Sequence, residues 1–159
     1  MKFIFAPWRW DFISGSKKED GCIFCRAQRQ TDEQALICRR GEKFFVIMNK
    51  YPYSSGHLLI APYAHLSSPE HLAANDLKEM WELTNRSLSI LKTNFHPEGF
   101  NIGMNIGQAA GAGITDHFHQ HIVPRWQGDA NFMATTGQTR VLSFDLDKIF
   151  QVIYNAFKK

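Results

Sequence analysis

The chain has 159 residues, 44% hydrophobic and 21% charged, and its 13 Phe and 4 Trp promise a substantial core; that length suits one domain, taken as residues 1–159. A formal charge of +3 with scattered Lys and Arg gives no basic stripe, so no nucleic-acid partner is expected. No apolar run approaches the ~18 residues of a membrane helix. The apolar start at Met1 is cut by Pro7, Arg9 and Asp11, which reads as a mature cytoplasmic protein without a signal peptide.

In chain order, residues 1–21 are aromatic-rich and then polar, with Trp8-Arg9-Trp10 read as packing and a loop running into Cys22. The cysteine count is odd, and Cys22-x-x-Cys25 reads as metal-binding or redox rather than as a disulfide framework. Phe44 to Met48 and His57 to Ala61 read as buried strands, joined by the turn formers of Asn49 to Gly56. Ser68-Pro69-Glu70 supplies a cap, a first-turn proline and an early acid. Leu77, Met80, Trp81, Thr84, Leu88 and Leu91 then recur at helical spacing, so a helix is expected within 69–94, ended by His96-Pro97 and Gly99. Phe100 to Asn105 reads as a third strand and His117 to Val123 as a short one stopped by Pro124. Leu146, Ile149, Phe150, Ile153 and Phe157 mark a C-terminal helix. Strands meandering around one main helix predict an α+β domain.

The strongest chemical signal is His117-Phe118-His119-Gln120-His121. A strand alternates faces with period two, so the three histidines share one face while Phe118 and Ile122 point to a core. Two chemistries fit such a row, a metal site and a phosphate site. The preceding Asn105 to Gly113 loop favours phosphate, because glycines let backbone N–H groups approach an anion closely. It lacks the Gly-Lys-Ser/Thr ending of a Walker loop and is no dinucleotide fingerprint.

Asn-x-Gly, the Gly/Ala loop and His-x-His-x-His followed by apolar residues resemble the histidine-triad (HIT) superfamily. Asn49 and Gly56-His57-Leu58-Leu59-Ile60-Ala61-Pro62 resemble its other landmark. More narrowly, Ala6-Pro7-Trp8-Arg9, Tyr51-Pro52-Tyr53, Ala110-Gly111-Ala112-Gly113-Ile114 and Pro124 to Phe132 resemble bacterial diadenosine tetraphosphate phosphorylase-like members. The resemblance implies a HIT fold, an antiparallel meander sheet with one main helix and a C-terminal helix, usually a homodimer. It implies attack by His119 on a nucleotide α-phosphate, giving a nucleotidyl-histidine; imidazole suits this because one nitrogen is nucleophilic when neutral while the other is held by a hydrogen bond. His121 would stabilise charge or protonate the leaving group, and His117 completes the triad. Asn105 and the Gly111–Gly113 backbone would donate to the oxyanion, Asn49 would contact ribose and His57 would support His119.

Cys22, Cys25, His65 and His117 correspond to the metal positions of zinc-bearing relatives, including galactose-1-phosphate uridylyltransferases. Two thiolates and two imidazoles make a closed tetrahedral set, so the expected zinc is structural. A thioredoxin-like reading of the cysteines lacks the flanking strand–helix unit, and Cys38 is treated as structural. Arg125 is a candidate clamp for distal phosphates and Trp126 a candidate pocket wall, against packing and solvation for each. The expected reaction is phosphorolysis of diadenosine tetraphosphate, with no catalytic cofactor. Its alternatives are a HIT hydrolase of dinucleoside polyphosphates or nucleoside phosphoramidates, and a nucleotide-binding sensor module. A uridylyltransferase is disfavoured, since those longer relatives carry Gln where this chain has His121.

Overall fold

A computed structural model describes residues 21–129 and 145–159. The expectations for Trp8-Arg9-Trp10, for the loop before Gly21 and for Ala130 to Phe132 lie outside the described residues. Within them, α1 (Ile23–Ala27) and α2 (Asp32–Ala35) precede β1 (Ile37–Arg40), β2 (Phe44–Met48) and β3 (Leu58–Pro62). A single 3-10 turn (Pro69–His71), α3 (Ala74–Phe95), β4 (Gly99–Met104), a second 3-10 turn (Gln108–Ala110), β5 (Gln120–Arg125) and α4 (Leu146–Lys158) follow. No helix among them is long and apolar enough to cross a membrane.

Local chemistry accounts for most boundaries. Thr31 and Gln34 form a reciprocal capping box that starts α2. The expected helix start at Ser68-Pro69-Glu70 yields only the 3-10 turn, because Leu72 turns extended (ψ 151°) to pack against the core, and α3 begins afresh at Ala74. Along α3 the buried residues are Met80, Leu83, Thr84, Ser87, Ile90 and Leu91, the spacing of one helical face. Trp81, counted in the predicted periodicity, is instead 52% exposed.

The five strands form one antiparallel sheet in the order β1-β2-β3-β5-β4. The meander therefore holds through β3, after which β5 inserts between β3 and β4. Two strand limits differ from expectation. Pro124 lies inside β5, not beyond it, opposite Phe100; β3 pairs only as far as Ile122, so the missing proline N–H faces no partner strand there. The ladder of β5 begins at Gln120, so His117 and His119 precede it and His121 lies within it. Gly56 (φ 77°) makes the close turn into β3, where an added Cβ would come within 3.1 Å of Leu91.

Period-two alternation divides the core. Phe44, Val46, Met48, Leu58, Ile60, Phe118 and Ile122 face α3 and α4 in the larger cluster. Phe45, Leu59 and Ala61 face the other way and pack with Phe24 and Ala27 of α1 in the smaller one. His121 stands opposite Leu59, so the histidine row occupies the face of the smaller cluster. Phe118, 1% exposed, plugs the larger cluster, and its N–H donates to Leu66 O at 2.7 Å. Burial of a Phe side chain is worth about 1.5–3 kcal/mol, which anchors the His117–His119 segment where the ladder does not reach. Gln120, between the last two histidines, is 1% exposed and donates to Thr84 of α3 at 2.9 Å.

Candidate active site and metal centre

Cys22, Cys25, His65 and His117 converge from the start of α1, the loop after β3 and the approach to β5. Their ligand atoms all lie within 4.8 Å of one another. Cys22 Sγ is 3.3 Å from His117 Nδ1, Cys25 Sγ is 3.3 Å from His65 Nδ1 and 3.7 Å from His117 Nδ1. Bond lengths of ~2.3 Å to sulfur and ~2.0 Å to nitrogen give tetrahedral edges of about 3.3–3.8 Å, so the four donors can hold a zinc-sized ion. The second nitrogen of His117 donates to Pro62 O at 2.9 Å, which leaves its Nδ1 lone pair facing the sulfurs. His117 is fully buried with both ring nitrogens engaged.

His119 follows directly. Its Nδ1 donates to the His117 carbonyl at 3.1 Å, which leaves Nε2 as the lone-pair nitrogen. The ring is 7% exposed and packs at 4.8 Å from both Phe24 and His121, centroid to centroid. Burial lowers its pKa from the ordinary histidine value, which favours the neutral form.

A second hydrogen-bond chain sets the proton on His121. The Tyr53 backbone N–H donates to His57 Nδ1 at 3.1 Å, and Asn49 Nδ2 lies 3.2 Å from the same nitrogen. A backbone N–H can only donate, so His57 carries its proton on Nε2 and passes a 2.9 Å hydrogen bond to His121 Nδ1. Neutral His121 then holds its own proton on Nε2. Burial, reinforced by the neighbouring histidines, pushes His57 down to about 3. Burial, with His119 beside it, pushes His121 down to about 4. Both rings are therefore neutral near pH 7. The result is a neutral acceptor nitrogen on one imidazole beside a neutral N–H donor on the next.

The remaining predicted residues divide. Asn49 is half-buried, its Oδ1 accepting from Tyr51 N–H at 2.9 Å and its Nδ2 directed at His57, so it braces His57. Asn105 is half-buried at the end of β4. In the glycine loop the Gly111 N–H donates to Gln108 O and the Ala112 N–H to Gly107 O, with Gly107 and Gly111 both at positive φ. Two of the three expected backbone donors of Gly111–Gly113 are thus spent within the loop itself.

Arg125 and Trp126 are not brought to the triad. Arg125 pairs with Gly99 at the far end of β4, four residues beyond His121, about 13 Å along the strand. Its guanidinium is held by Asp129 and Asn101, both at 2.7 Å, and Trp126 Nε1 donates to Phe95 O at the end of α3. Both side chains tie the end of β5 to its neighbours. Sequence reasoning missed Phe24 and Tyr53, whose rings lie against the histidines. The only available signal for Phe24 was its place inside Cys22-x-x-Cys25.

The chain is similar to known proteins over most of its length. A model of the HIT domain matches residues 30–128. An AP-4-A phosphorylase of Mycobacterium tuberculosis is 37% identical over 150 residues, covering 89% of this chain and 77% of that protein. A bis(5'-adenosyl)-triphosphatase of Dictyostelium discoideum is 27% identical over 96 residues, 60% of this chain and 64% of that protein. Among solved structures, a Zn-bound histidine triad family protein from Mycobacterium smegmatis superposes with a TM-score of 0.69 at 25% identity, covering 87% of this chain and 94% of that one. The match runs through β1 to β5 and takes in every histidine of the row, and the chain belongs to the HIT-domain family.

Proposed function

We propose that the chain is a nucleotidyl transferase that phosphorolyses diadenosine tetraphosphate, with His119 as nucleophile. The observation that carries the chemistry is the paired tautomers: the lone pair on His119 Nε2 next to the N–H on His121 Nε2. The substrate comes from the likeness to the mycobacterial AP-4-A phosphorylase, over 89% of this chain. In the first step His119 Nε2 bonds the α-phosphorus and the bond from that phosphorus to the bridging oxygen breaks. Adenosine triphosphate leaves as an anion, so a hydrogen bond from His121 suffices without full proton transfer. His57, braced by Asn49 and the Tyr53 N–H, keeps that donor in place. In the second step an oxygen of inorganic phosphate bonds the same phosphorus, the N–P bond breaks, and adenosine diphosphate departs with His119 neutral again.

Anion contacts fall to Asn105 and the backbone at Gly113, since Arg125 and Trp126 hold the far end of β5. Asn49 Oδ1 keeps a second lone pair for a ribose hydroxyl. Cys22, Cys25, His65 and His117 would hold zinc in a closed set, where it supplies a folding staple with no position for substrate. We take residues 1–159 as a single cytoplasmic domain, paired as a homodimer. The edge strand β4, with Ile102 exposed on it and Ile106 exposed just beyond its end, suits pairing between copies.

Product analysis tests the reading. With diadenosine tetraphosphate and inorganic phosphate the products should be adenosine di- and triphosphate; without phosphate, slow appearance of the monophosphate. Consumption indifferent to phosphate, yielding mono- and triphosphate, would place the chain among hydrolases.

A further inference from the structure

We propose that Phe24 is a positioning residue, through which the four-residue metal centre fixes the imidazole of His119. Phe24 sits between Cys22 and Cys25, so any ion bound by those thiolates also sets where its ring lies. The ring is 1% exposed and its centroid is 5.0 Å from that of His117 and 4.8 Å from that of His119. Behind it, Phe45 of β2 closes the seat at 6.5 Å. The same centre holds the other constraint on the nucleophile, because the carbonyl that accepts from His119 Nδ1 belongs to the ligand His117. One imidazole thus has one nitrogen held by the backbone of a metal ligand and one side of its ring packed, at a 43° tilt, against the residue enclosed between two others. A ring held only by the Nδ1 hydrogen bond would still rotate and tilt about it; the aromatic wall removes that freedom. Misplacing a reacting atom by ~1 Å can cost on the order of 10²-fold in rate, so the wall matters more to turnover than to affinity.

The inference rests on the reading of His119 as nucleophile, and the test separates the two. Phe24→Leu, with Phe24→Met as a second variant that fills nearly the same volume, is purified with its metal and checked for zinc content. Two readouts follow: single-turnover adenylylation by diadenosine tetraphosphate, and the side-chain ¹⁵N spectrum of His119 in the protein alone. At full zinc content the rate should fall ~10–100-fold with KM changed less than about twofold, and the fixed Nδ1–H signal of His119 should broaden. Removing zinc from the unsubstituted protein should broaden the same signal, and removing it from Phe24→Leu should add little. Full zinc with an unchanged rate and unchanged His119 spectrum in either variant overturns the role of Phe24. A sharp His119 signal after zinc removal overturns the link to the metal. If the unsubstituted protein fails to consume the dinucleotide, the substrate reading falls, while the spectrum still decides the positioning.

Discussion

At the scale of single residues, hydrogen-bond bookkeeping supports the proposed nucleophile and donor. His117 O occupies one nitrogen of His119, and the chain from Tyr53 N–H through His57 protonates the outer nitrogen of His121. Exchanging either tautomer would set two lone pairs or two protons against the phosphate. His119→Ala should therefore lose ~10³-fold or more in turnover while still binding nucleotide, measured by steady-state rates alongside equilibrium titration. Unimpaired turnover in the folded variant would remove His119 from the mechanism. The same row was legible in the sequence because period two needs no tertiary knowledge: Phe118 and Ile122 enter the larger core, and the histidines take the opposite face. The tautomer of His121 was not legible, because its partner lies far away along the chain, and that of His119 depends on how its ring turns onto the carbonyl two residues back. His57 is 64 residues from His121, and Pro62 is 55 from His117.

At the scale of elements, α1 is five residues long, too short to be stable as an isolated helix. It is held by Phe24 and Ala27 in the smaller core and by the two cysteines of the metal set. Protein purified without chelator or added metal should carry about one zinc per chain by elemental analysis, and chelation should lower the melting temperature, because metal-binding free energy is folding free energy at such a site. Zinc far below stoichiometric, with melting unaltered by chelator, would return Cys22 and Cys25 to ordinary core packing. Arg125 belongs to this scale too. The motif around it suggested phosphate, but an ion pair to Asp129 at 2.7 Å and a hydrogen bond to Asn101 make it a fastener for the end of β5. Arg125→Ala should leave the phosphate dependence of turnover intact and lower stability by about 1 kcal/mol or less, since the pair is partly exposed. A selective loss of phosphate dependence would restore the clamp.

At the scale of the whole molecule, burying His57, His117 and His119 and half-burying His121 makes folding sensitive to acid. Above the ordinary histidine pKa of about 6.5, His57 is neutral whether folded or unfolded and costs nothing. As pH falls from about 6.5 towards 3, the unfolded chain takes up a proton that buried His57 refuses, so stability decreases across that window. The slope approaches ~1.4 kcal/mol per pH unit for one such group. His121, pushed down to about 4, acts in the same direction. Urea midpoints between pH 7.5 and 5 should fall more steeply for the native protein than for His57→Gln, the cluster of Cys22, Cys25, His65 and His117 being common to both. Parallel curves would mean that His57 takes up its proton in the folded state as readily as in the unfolded one.

The sequence by itself determined the α+β class, the main and C-terminal helices, β2 and β3, and the face shared by the three histidines. Each of these depends on periodicities of 2 or 3.6 residues and on neighbours within a few positions. Tertiary structure decided what depends on distant partners. Leu72 left the helix to reach the core, so α3 starts at Ala74. β5 runs on through Pro124 because β3 has already ended beside it. β1, only four residues long, exists through its pairing with β2. Phe24, an unremarked residue inside a cysteine pair, lies against His119 because α1 packs over that face of the sheet. Local propensity selects elements and their buried sides; which side chains then meet depends on how the sheet and helices close around one core, and a linear pattern does not encode that closure.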